Sequence, residues 1–95
     1  MQVVVHFPAD GGPPGRALRR LLCVLGRFAS EVLTADLRAT ATASGRVMLT
    51  ARVTFAGGGG LALQAEEASS VAAMEHFVDR LGRAVARRLA PQERR

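Results

Sequence analysis

A chain of 95 residues is long enough for one hydrophobic core, hiding roughly 60–65% of the unfolded surface, and too short for two domains. Thirteen arginines and no lysine stand against eight acids, so the net charge of +5 sits entirely on permanently ionised, fork-shaped groups whose natural partner is phosphate. The single cysteine, Cys23, excludes an internal disulfide framework, no Cys/His set has zinc-ligand spacing, and no run reaches the ~18 apolar residues of a membrane span, which together fit a cytoplasmic protein.

Val3, Val4, Val5 and Phe7 form a short β-branched run ending at Pro8, which predicts a strand followed by a loop through Gly11, Gly12, Pro13 and Pro14. A helix then begins. Leu18, Leu21, Leu25 and Phe28 recur at helical spacing with Leu22 and Ala29 beside them, while Arg16, Arg20, Cys23 and Arg27 fall on the other side. Gly26 weakens this helix, whose end is expected between Ala29 and Val32.

From Thr34 the period changes to two. Ala35, Leu37, Ala39 and Ala41 alternate with Asp36, Arg38, Thr40 and Thr42, a half-buried strand that ends in a tight turn at Ser44 and Gly45. A second strand follows, with Val47, Leu49, Ala51, Val53 and Phe55 alternating with Met48, Thr50, Arg52 and Thr54. Four glycines, Gly57 to Gly60, join it to a third, in which Leu61, Leu63 and Ala65 alternate with Ala62, Gln64 and Glu66.

The last element is the most strongly patterned. Between Ser70 and Ala90, Val71, Met74, Val78, Leu81, Val85 and Leu89 gather on one side of a helix, with His76, Arg80, Arg83 and Arg87 roughly opposite. Ser69 or Ser70 suits the N-cap, and Pro91 forbids continuation by pushing Ala90 out of the α region. Gly82 costs ~1 kcal/mol relative to alanine in a helix interior and marks either close packing or a tolerated weak point.

The order is therefore β-α-β-β-β-α in one α+β domain spanning residues 1–95: a four-stranded mixed sheet with both helices on one face. The first two strands are expected to be parallel through a right-handed crossover, the others to pair as hairpins. If the helices lie side by side, their outward arginine stripes form one basic surface.

No catalytic constellation emerges. Gly57 to Gly60 lack a following Lys-Ser/Thr and lead into a strand, so they read as a hairpin loop and not a phosphate cradle. Glu66 and Glu67 are adjacent in a strand and point to opposite faces, so they cannot share a substrate atom. Cys23 has no positioned base, and His6 and His76 do not pair. The expectation is a non-enzymatic protein with no cofactor, metal or small-molecule substrate.

The run Ala65-Glu66-Glu67-Ala68-Ser69-Ser70-Val71-Ala72-Ala73-Met74-Glu75, followed by Val78-Asp79-Arg80-Leu81 and Arg83, resembles the signature of the ribosome hibernation-promoting factor and ribosome-associated inhibitor family. Met1-Gln2-Val3, Ala17-Leu18-Arg19 and Arg27-Phe28 extend the resemblance over nearly the whole chain. It implies a domain that occupies the decoding region of the small ribosomal subunit, overlapping the places of messenger and transfer RNA. The basic helix residues that touch ribosomal RNA in the family correspond to Arg80, Arg83 and Arg87, and on the first helix to Arg16, Arg20 and Arg27. His76, on the same stripe, is a candidate for a pH-dependent phosphate contact. Val71 stands where the family has an aromatic residue, and Pro91 cuts off its lysine-rich continuation. The family's long form carries a second, dimerising domain, so the short form is expected, monomeric when free and without membrane attachment. Two alternatives remain open. One is a protein-interaction module using the open sheet face of Arg38, Met48, Thr50, Arg52 and Gln64. The other is a diverged double-stranded-RNA-binding domain, although Ser69 to Ala73 lack the basic residues that open its last helix.

Overall fold

The computed structural model describes residues 1–7 and 14–90. In chain order these form β1 (Gln2–His6), α1 (Pro14–Leu25), a 3-10 turn (Gly26–Phe28), β2 (Val32–Ala41), β3 (Val47–Phe55), β4 (Gly60–Glu67) and α2 (Val71–Leu89). The sheet order is β1-β2-β3-β4, with β1 parallel to β2 and the other neighbours antiparallel, as the element order of the sequence predicts. The stop at Pro8, the expected loop through Gly11, Gly12 and Pro13, and Pro91 itself lie outside the described residues.

Alternation decides which sheet face is covered. Ala35 and Leu37 of β2 and Leu49, Ala51, Val53 and Phe55 of β3 are buried, and their register places them in one layer under the helices. Phe77 of α2 is fully buried in this core with Leu21 and Leu25 of α1 and Val78, Leu81 and Val85 of α2. β2 starts two residues earlier than the alternation suggests. The register shifts between Val32 and Thr34, which keeps Val32 in the core and leaves Leu33 57% exposed.

The helices follow their caps. Ser70 Oγ accepts a hydrogen bond from the Ala73 N–H at 3.1 Å, settling the choice between Ser69 and Ser70, and Ala90 is extended at φ −62°, ψ 142°. The first helix stops at Leu25, earlier than expected, and Gly26 opens the 3-10 turn. Three positions of the expected apolar stripes are not core. Leu18 is 36% and Val71 39% exposed, and Leu22 is exposed beside Leu18. α1 packs over the edge strand β1 and against α2, so its flank beyond that edge has no sheet beneath it.

α1 and α2 lie side by side and run in the same direction. Arg16 faces Glu75 at 3.4 Å, and Arg20 faces Asp79 through two hydrogen bonds of 3.1 and 2.8 Å, so successive turns of one helix meet successive turns of the other. One turn further on, a Cβ at Gly82 would stand 3.2 Å from Val24 Cβ, which resolves the role of this glycine as close packing. The Arg20 hydrogen bonds hold the Asp79 carboxyl below its ordinary pKa. Partial burial opposes this shift, and the charges of Arg20, Arg83 and His76 add to it.

Two outcomes follow from this contact. Replacing Gly82 with leucine forces the helices apart at Val24, and despite better helix propensity it should destabilise the fold by about 1–3 kcal/mol in urea denaturation. The depressed pKa of Asp79 means that near pH 4 the unfolded chain binds more protons than the folded one. The pair's contribution is thus complete above the unfolded value of about 3.9 and is lost as pH falls through the folded value. Asp79→Asn should flatten the acid limb of stability against pH and leave its alkaline limb unchanged.

Candidate nucleic-acid interface

The parallel packing turns the outer seam between the helices into an open groove of about 630 Å³. Val24, Gly82 and Ala86 are among its lining residues, together with Cys23, which is exposed as expected. Arg20, Arg27, Arg83 and Arg87 line it as well. Their order along the seam matters. At the end nearest the helix N-termini two α1 arginines meet α2 acids, Arg16 with Glu75 and Arg20 with Asp79. Beyond Asp79 the described part of α2 carries no acid. Among the described residues none of Arg27, Arg83 and Arg87 has an acid within ion-pair distance.

Those three positions have a local cause. Arg83 and Arg87 are one turn apart, ~6 Å along α2, and both are exposed. Arg27 belongs to the 3-10 turn that Gly26 opens, and its guanidinium carbon lies 4.7 Å from the centre of the Phe28 ring. The half-buried ring gives that side chain a surface to lie on and leaves its donors outward. The last turn of α2 carries both Arg87 and Arg88, where cations complement the negative end of the helix dipole.

The remaining candidates are dispersed. Arg80 lies on the other flank of α2, with Nη1 3.8 Å from Glu67 Oε2 on β4, and does not line the groove. Its position on the helical wheel is close to Arg83 and Arg87, but β4 lies on that side and supplies an acid. His76 is exposed on α2, and Arg16 is on the exposed surface with Glu75. Arg88, on the core side of the wheel, packs 5.1 Å from the Phe55 ring centre and donates to Gly60 O. Asp79 is the groove residue that the stripe pattern missed. Its signal was Glu75 and Asp79 at i and i+4 on α2, legible as a pairing row only once α1 is placed beside them.

The groove can do electrostatic and steric work. Arginine forks at Arg27, Arg83 and Arg87 suit phosphate oxygens, and the small residues between them let a backbone approach. The open sheet face offers less. Arg38 is held by Asp36 at 3.1 Å and Gln64 reaches Met48 at 3.3 Å, so several of its polar groups are engaged with one another. Phe55 and Phe77 are buried and Phe7 and Phe28 half-buried, so that face has no aromatic platform for bases. Among the described residues no cluster of His, Cys, Asp and Glu could hold a metal, and no helix is long and apolar enough to cross a membrane.

No model of a known protein family matches this sequence, and no curated protein does. The fold has a counterpart among solved structures. The chain is similar to the N-terminal domain of Thermus thermophilus Protein Y over 92% of its own length and 98% of that domain, with a TM-score of 0.68 and 19% sequence identity, a likeness of fold.

Proposed function

We propose that this protein is a non-enzymatic, cytoplasmic ribosome hibernation factor whose ribosome-binding domain spans residues 1–95. It silences translation by filling the decoding region of the small ribosomal subunit, where it excludes messenger and transfer RNA. The observation that carries this reading is the far end of the interhelical groove, where Arg27, Arg83 and Arg87 are gathered with no acid within ion-pair distance among the described residues. The sequence resemblance to the hibernation-promoting factor family, and a fold shared with a Protein Y domain of that family, support the same partner.

The mechanism is occupancy. Guanidinium forks engage ribosomal RNA phosphates, counterions leave, and the rigid sheet behind the helices supplies bulk. Recognition is by shape and phosphate placement, since the described surface has no aromatic ladder on which single-stranded bases could stack. Arg16, Arg20, Arg80 and His76 add secondary contacts. Arg16, Arg20 and Arg80 must share their charge with Glu75, Asp79 and Glu67, which ranks them below the groove arginines.

Co-sedimentation with purified small subunits across a salt series tests this. Wild-type protein should bind at low salt and weaken steeply as salt rises. Arg27→Glu/Arg83→Glu/Arg87→Glu should abolish binding with an unchanged circular dichroism spectrum, while each single alanine variant should lower the salt slope by about one. Unchanged affinity in the folded triple variant would remove the groove as the contact surface.

A further inference from the structure

The outer side of β4 is a sheet edge, and its backbone is only partly open. Phe55 N–H donates to Gly59 O at 3.1 Å, which makes those two residues a hydrogen-bonded pair. Along an antiparallel ladder such pairs alternate, so Leu61, Leu63 and Ala65 turn their backbone groups toward β3 and Gly60, Ala62, Gln64 and Glu66 turn theirs away. Both end carbonyls of this outward set are taken by arginine. Arg88 Nη1 donates to Gly60 O at 3.1 Å, and Arg46 Nη2 donates to Glu66 O at 3.4 Å.

Each capping side chain is itself held. Arg88 lies over the Phe55 ring and against Gly59, where a Cβ would collide with its guanidinium and where φ is +81°. The glycine run thus has a second use besides the turn. Arg46 is anchored by the Glu66 carboxylate at 3.6 Å. Between the caps, Ala62 and Gln64 keep their outward N–H and C=O groups, with Leu61, Leu63 and Ala65 half-exposed on the helix side.

The edge is also self-complementary. A two-fold axis through Leu63 sets Ala62 against Gln64 of a second copy, so outward groups meet outward groups. The same axis sets Leu61 against Ala65, Leu63 against Leu63 and Gly60 against Glu66. No like charges oppose, and the half-exposed apolar residues cover one another. An eight-residue edge with no proline or lysine is a template for strand addition unless something closes it. The geometry points to β4 as a docking edge for a second copy of this chain, held shut by Arg46 and Arg88, which occupy the outer carbonyls an added strand needs.

Sedimentation equilibrium over one concentration series tests the proposal without ribosomes. Wild-type protein should remain at monomer mass, and Arg46→Ala/Arg88→Met, which keeps an apolar stem over Phe55, should double it. Adding Ala62→Pro should restore the monomer, because it removes an outward N–H that β3 does not use. Should the double variant not fold, the single variants Arg46→Ala and Arg88→Met carry the test, each shifting the series toward the dimer. A wild-type dimer, a folded uncapped variant that stays monomeric, a dimer that survives Ala62→Pro, or a ladder of higher oligomers would each overturn it.

Discussion

The approach of α2 to α1 at Gly82 and Val24 is the constraint on which the rest of the molecule depends. A glycine inside a nineteen-residue helix lowers that helix's intrinsic stability, and here it lets the backbone sit against a valine of the neighbouring helix. Helix axes in contact lie 8–10 Å apart, with the smallest side chains at the closest point. Once that point is set, the seam arginines N-terminal to it are paired. Arg16 and Arg20 find Glu75 and Asp79 because both helices advance together, turn by turn, from the same direction. Beyond it the described part of α2 carries no acid, and among the described residues Arg83 and Arg87 have none within ion-pair distance.

This division gives a physical reason for an arginine-only cationic inventory, whatever its genetic origin. Arginine stays ionised beside other arginines, where a lysine would lose part of its charge to repulsion and burial. It also forks, so Arg20 can make two bonds to Asp79 while Arg27 lies flat on a phenylalanine. On the proposed reading, a groove of this kind would grip a polyanion through several weak, salt-sensitive contacts and not through one enclosed pocket. That is the behaviour expected of a plug that must bind firmly and still be cleared.

The sheet was legible from the sequence because one face is buried. Slipping a strand by one residue would send Leu49, Ala51 and Val53 to solvent, so alternation alone sets which residues share the core. α2 was legible for a similar reason, with Met74, Val78, Leu81 and Val85 in one stripe and a serine cap before it. α1 was read less well. Leucine at positions 18, 21, 22 and 25 makes a stripe wider than the sheet beneath it, and periodicity carries no information about where the sheet ends. The irregularity at Leu33 is equally silent, since Val32 and Leu33 are both apolar and only tertiary packing selects between them.

The candidate site was legible as a composition and not as a partition. A helical wheel gives angles about one axis, and Arg80, Arg83 and Arg87 are close neighbours on it. What separates them is the identity of the neighbouring element on each flank, β4 with Glu67 on one side and α1 with its own arginines on the other. Arg16 and Arg20 were likewise placed on the correct face, and their acids were invisible because they sit fifty-nine residues away on another helix. The same logic separates Arg46 and Arg88 from the groove: each ends on a backbone carbonyl of β4, where a cation can close an edge but cannot reach toward the helical seam. Charge in this molecule is therefore assigned by what the fold brings within ion-pair distance, and the arginines it leaves without an acid at the seam are those able to meet an anion from outside at no cost to the fold.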